Sequence, residues 1–92
     1  MNKETVEALF TLNTGIGTEA AQPQIAQGIE RVTASLREGA DGEDIRLCYL
    51  AAALAGVAYL QRAAAAPEQL RHMQRLAEAY RTMCGDLIGG AP

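Results

Sequence analysis

The sequence predicts an all-α fold, a small three-helix bundle or a helical hairpin plus a third helix, with a short N-terminal arm. Three observations carry this. Ala, Leu, Gln, Glu and Arg dominate, with no Trp, one Phe and three Tyr, a composition of helix formers. Apolar residues recur at helical spacing in three separate stretches, and Gly and Pro signals divide those stretches from one another. A chain of 92 residues has room for one hydrophobic core, so residues 1–92 form a single helical domain.

Residues 1–17 are the least determined. Val6, Leu9 and Phe10 suit a short helix, whereas Phe10, Leu12, Thr14 and Ile16 alternate as an extended segment does, and periodicity alone does not separate the two. With Gly15 and Gly17 flanking Ile16, we read a turn of helix followed by an extended connector that drapes over the bundle. The first long helix runs near 23–38, with Ile25, Ile29, Val32 and Leu36 at 4,3,4 spacing. Thr18 is a candidate cap, but Pro23 then lacks a backbone donor, so the helix either kinks at Pro23 or begins there.

The second helix spans about 42–66. Its start is marked by Asp41-Gly42-Glu43-Asp44, which concentrates negative charge at the positive end of the helix dipole. It contains the most apolar stretch of the chain, Leu47 to Leu60, fourteen residues without a charge. At about 1.5 Å per residue this is about 21 Å, short of a hydrocarbon core of roughly 30 Å, and Arg46 and Arg62 bracket it, so it is not a membrane span. Pro67 ends the helix, by a break or by a kinked continuation. The third helix covers about 67–87: Leu70, Met73, Ala77, Tyr80, Cys84 and Leu87 follow a 3,4,3,4,3 spacing. Gly85 caps it or it frays through Ile88, and residues 89–92 read as a flexible tail. The expected core comprises Ile25, Ile29, Val32, Leu36, Leu50, Leu54, Val57, Met73, Leu76 and Tyr80.

Composition narrows function mainly by exclusion. Eleven acidic and eight basic residues give a net charge of −3, against a general nucleic-acid binder, which needs a basic excess to neutralise phosphates. The first residues form no basic-then-apolar leader, so a cytoplasmic protein is expected. Cys48 and Cys84 belong to no CxxC pair, and the single histidine, His72, has no Cys or second His at helical spacing. Neither a zinc site nor a disulfide framework follows, and no metal or other cofactor is expected. The run Gly15-Ile16-Gly17 lacks the third glycine and the lysine of phosphate loops and reads as a plain connector. Glu43 and Asp44 are better used for capping than for acid–base chemistry. An enzyme is not indicated.

Two surfaces remain as candidates. Arg62, Arg71, Arg75 and Arg81 form a basic helix face, interleaved with Glu68 and Glu78, whose ordinary role is a solvated, salt-bridged surface; as candidate electrostatic contacts they would serve an acidic protein or a nucleic acid. The central helix carries the stronger argument. Fourteen uncharged residues have no solvent-tolerant side, and two other long helices do not enclose them. Tyr49, Ala52, Gly56 and Tyr59 place small residues between two tyrosines and are therefore expected at a contact with a protein partner or a second copy of the chain.

The stretch Ala8-Leu9-Phe10-Thr11-Leu12-Asn13-Thr14-Gly15-Ile16-Gly17-Thr18-Glu19, followed by a helix, an acidic turn and an alanine-rich helix, resembles a family of short, uncharacterised bacterial helical-hairpin proteins. The resemblance covers residues 8–66 and implies a helical hairpin after an extended arm; it transfers no functional residue. The expected function is thus a small cytosolic protein–protein interaction module, an adaptor, inhibitor, chaperone or regulatory partner that docks through apolar helix faces, as a homodimer or with another protein. The alternative is a nucleic-acid-associated regulator using the arginine face.

Overall fold

The charge-free stretch becomes the hub of the fold. The computed structural model describes residues 1–89. It contains α1 (Lys3–Thr14), a 3₁₀ turn (Thr18–Ala21), α2 (Gln22–Ser35), α3 (Ile45–Arg62) and α4 (Pro67–Met83), with no strand among the described residues. Helices α1, α2 and α4 each lie against α3, while α4 barely meets α1 or α2. The architecture is a small all-α bundle whose central helix is wrapped by three others.

Where a turn of helix and an extended connector are expected, the chain forms a full helix through Thr14. Asn2 caps α1 by accepting a hydrogen bond from the backbone N–H of Thr5, and Gly15, at φ 72°, closes it in the left-handed conformation that glycine adopts without strain. The i,i+4 pair Val6 and Phe10 is completely buried, whereas Leu12, which belonged to the alternating pattern, is 77% exposed. Burial of one helical face outweighed the alternation. The consequence for α3 is direct: the third side of the hub is covered from within the chain, with Phe10 packed edge-on against Tyr59 at 5.9 Å between ring centroids.

Helix α2 begins at Gln22 with Pro23 in its first turn, where the missing N–H costs nothing. Gly28 is buried where α2 lies on the backbone of α3. Helix α3 starts later than expected. Asp44 is the N-cap, accepting from Arg46 N–H, while Asp41 accepts from Glu43 N–H and shapes the preceding turn. Residues Ala51, Ala52, Ala53 and Ala55 are fully buried. Their short side chains let three helices approach one axis, which explains why an alanine-rich helix is the hub.

At its far end α3 stops at Arg62, ahead of the expected boundary at 66, and the chain breaks before Pro67. Ala65 N–H bonds to Leu60 C=O and Ala64 N–H to Gln61 C=O, with Ala64 at φ 53°. This is a Schellman closure with alanine where glycine is usual. Pro67 then opens α4 at its first turn.

Of the expected core, Ile25, Val32, Leu50, Leu54 and Met73 are buried; Ile29, Leu36, Val57 and Tyr80 are half-buried against it. Leu76 is half-buried but lies outside that cluster. Val6, Phe10, Leu47, Cys48, Cys84, Leu87 and Ile88 join the core, with Ala21, Ala77 and the buried alanines of α3. Beyond α4, residues 84–89 form a strap across the end of α2. Arg37 N–H bonds to Leu87 C=O at 2.9 Å and Gly89 N–H to Ser35 C=O at 2.7 Å, so Gly89 is held rather than part of a loose tail. The remainder of the expected tail, 90–92, lies outside the described residues.

Candidate functional site

The four residues expected at a partner contact point inward or are engaged within the chain. Ala52 is fully buried, and Gly56 is buried beneath Met73, whose Sδ would lie 2.9 Å from a Cβ at that position. Tyr59 packs on Phe10, and Tyr49 meets Tyr80 of α4 with centroids 5.5 Å apart. The small-residue face is therefore used by helices of the same chain. The premise that only two long helices surround α3 fails because α1 supplies a third.

The four arginines on the candidate basic face do not act together either. Arg71 and Arg75 lie one turn apart on α4, but Arg81 is six residues beyond Arg75, about 120° around the helix at 100° per residue. All four are exposed. Arg81 alone lines the cleft between α2 and α4.

That cleft exists because α4 and α2 both pack on α3 without packing on each other. Its floor is Val32 of α2, Leu50 and Leu54 of α3, and Ile88 of the strap. Around the floor stand Arg31 of α2, Arg37 just beyond the end of α2, and Arg81 of α4, with Ser35, Gly85 and Gly89 completing the rim. The cavity is about 230 Å³, and among the described residues no Asp or Glu lines it. Arg37 is already committed: its Nε donates to Ile88 C=O at 2.7 Å and its Nη2 to Gly85 C=O at 3.1 Å, fastening the strap. Arg31 and Arg81 form no ion pair with any carboxylate among the described residues. Two uncommitted guanidinium groups over an apolar floor are equipped to bind an anionic group attached to an apolar one.

In the sequence Arg31 and Arg37 stand off the apolar stripe of Ile25, Ile29, Val32 and Leu36, where a solvated charge is ordinary. Arg31 and Arg37 flank Val32 and Leu36, and no acidic residue lies three or four positions from Arg31, which was the available local signal. Their convergence with Arg81 depends on how the helices fold together.

A second, smaller cavity of about 180 Å³ lies between the end of α1 and the start of α4. Asn13, Thr14, Leu60, Gln69, His72 and Met73 line it. Asn13 Nδ2 is buried there without a hydrogen-bond partner among the described residues. His72 is exposed at its edge.

A third charged group is structural. Arg46 bridges Asp44 and Asp86, each at 2.9 Å, and donates to Met83 C=O at 3.1 Å. It thereby ties the start of α3 to the end of α4. Hydrogen bonds from Arg46 hold both aspartates below their ordinary pKa, and those same bonds, Asp44's first, raise that of Arg46. Behind it, Cys84 donates from Sγ to Arg46 C=O at 3.4 Å, and burial pushes its thiol pKa up, away from nucleophilic use. Both cysteines are free and buried. Among the described residues no three His, Cys, Asp or Glu side chains gather as a metal set, and no helix is long and apolar enough to cross a membrane.

No family model, no curated protein and no solved structure matches this chain.

Proposed function

We propose that the protein is a small, non-catalytic interaction module that receives a segment of a partner protein in the cleft between α2 and α4. The observation that carries this reading is an apolar floor of Val32, Leu50, Leu54 and Ile88 under Arg31 and Arg81, which have no acidic partner among the described residues. An apolar anchor supplies most of the binding energy in such contacts, and the charged rim selects and orients. At about 230 Å³ the cavity falls below the roughly 300–1,000 Å³ typical of pockets that enclose a whole small ligand, which favours insertion of part of a larger partner. Two unpaired thiols, Cys48 and Cys84, fit a reducing, cytosolic setting. Nucleic acid is the weaker reading, because Arg62, Arg71 and Arg75 do not join Arg81 at the cleft and the net charge is negative.

Selection of a peptide library on the immobilised full chain tests the proposal. The peptides retained should combine apolar and acidic groups. They should lose binding to an Arg31→Glu/Arg81→Glu variant whose circular dichroism is unchanged. Peptides indifferent to the arginine substitutions would place docking elsewhere and overturn the reading.

A further inference from the structure

We infer that the segment received by this cleft is the C-terminus of a partner chain ending in an aliphatic residue, its side chain seated on the apolar floor and its α-carboxylate taken by Arg31 and Arg81. The inference rests on the proposal that the α2–α4 cleft is a docking site and specifies what docks. Charge complementarity is its first support: three arginines and, among the described residues, no Asp or Glu line the cavity. Arg37 is spent on the strap, with its donors on the carbonyls of Ile88 and Gly85. That leaves Arg31 and Arg81, which pair with no carboxylate among the described residues, as the groups to meet an incoming anion. A planar carboxylate matches the fork of a guanidinium in a way that a single acceptor does not.

The second support is the closeness of floor and rim. Leu50 and Leu54 lie in the same cavity of about 230 Å³ as both open arginines. On a docked helix, an acidic side chain and an apolar anchor on the same face sit on different residues, three or four positions and about 5–6 Å apart at Cβ. A chain terminus carries both groups on one Cα, so one residue fills the apolar space and presents the anion beside it. The third support is access. Gly85 and Gly89 form the strap's share of the rim and place no side chain there, which leaves room for the partner's backbone to leave the cavity.

The test titrates the ¹⁵N-labelled full chain with four probes and follows amide shifts. The probes are Gly-Ser-Gly-Ser-Gly-Leu with a free carboxylate, the same peptide as its C-terminal amide, an acidic amphipathic helical peptide with blocked ends, and hexanoate. The free-carboxylate peptide should shift amides within 31–37, 50–54 and 81–89 and bind at least tenfold more tightly than its amide and than hexanoate. Arg31→Gln/Arg81→Gln should remove that preference while leaving the helical circular dichroism and the affinity for the amide unchanged. Equal binding of peptide and amide overturns the inference, as does hexanoate binding as tightly as the peptide, which would make the cleft a small-amphiphile site. If only the blocked helical peptide binds in the cleft, docking stands and the terminal-carboxylate inference falls. If no probe shifts these amides, both fall.

Discussion

Gly28 of α2 lies against the carbonyl of Ala51 of α3 so closely that a Cβ at residue 28 would come within 2.6 Å of that oxygen. The neighbour is backbone, so α2 must move for any side chain to fit. Gly28→Ala should therefore cost about 1–2 kcal/mol net, the overpacking penalty exceeding the gain of about 1 kcal/mol in helix propensity. Gly56→Ala should behave differently, because its obstacle is the Sδ of Met73 at 2.9 Å, the flexible part of a side chain. We expect that variant within about 1 kcal/mol of wild type. Urea melts of the two variants provide the comparison; equal destabilisation would refute the contrast.

The cover that α1 provides makes a second prediction. Phe10→Ala should destabilise by about 3–5 kcal/mol, because the ring is fully buried against Tyr59. Ala52→Arg should cost on the order of 4 kcal/mol or more and lower helicity, since it places an unpaired charge in the core. Had the central helix been a partner face, the arginine would have abolished association and spared the fold. Thermal melts by circular dichroism distinguish the two outcomes.

Arg46 sets a pH dependence. Hydrogen bonding to Arg46 lowers the folded-state pKa of Asp86 below its ordinary value of 3.8. A depressed carboxylate pKa contributes stability that is fully present above the unfolded pKa and is lost as pH falls through the folded one. Asp86→Asn should therefore be less stable than wild type at pH 7, and the difference should close below about pH 4. The pair is exposed, so the effect is modest. Denaturant midpoints measured from pH 7 down to pH 2 test it; a gap that persists at pH 2 would assign the loss to something other than the ion pair.

How far the sequence revealed these features depends on where the determining contacts lie. Helix α4 was legible in its apolar spacing and in Pro67, and α2 in Pro23 and the stripe from Ile25 to Val32, because caps and periodicity are local. Helix α1 was obscured by the accidental alternation of Phe10, Leu12, Thr14 and Ile16, although Gly15 carried the signature of a helix end. Missing α1 produced the expectation of an uncovered face at Ala52 and Gly56. The cleft was not legible, since it joins Arg31 and Arg37 to Arg81 and Ile88 across about fifty residues, a proximity created only by both helices packing on α3.

The end of α3 was misplaced for a chemical reason that yields a prediction. Ala64 occupies the left-handed position at φ 53° where a glycine would have announced the stop. The left-handed conformation costs an L-residue roughly 1–2 kcal/mol, and glycine's greater freedom in the unfolded chain returns about 0.5–1 kcal/mol of that. Ala64→Gly should stabilise by about 0.5–1 kcal/mol, readable as a rise in melting temperature of a few degrees. A fall would show that the closure between Leu60 and Ala65 is not maintained.

The last prediction separates the arginine that builds the cleft from those left open to a ligand. Arg37 donates to two strap carbonyls, and its backbone N–H holds Leu87 C=O. Arg37→Ala removes the side-chain pair and leaves Ile88 and Gly85 carbonyls to water, so a loss of about 1–2 kcal/mol is expected. Amide exchange at Gly89, whose N–H bonds to Ser35 C=O, should accelerate first, because the strap opens before the bundle does. Arg31→Ala and Arg81→Ala remove no ion pair among the described residues and relieve like-charge repulsion beside Arg37. Those two variants should be neutral or stabilised by up to about 0.5 kcal/mol, the behaviour of residues placed for recognition at some expense of stability. Denaturant melts and hydrogen exchange on the three variants decide it: if Arg31→Ala or Arg81→Ala destabilises as much as Arg37→Ala, those guanidinium groups are holding the fold together and are not open to a partner.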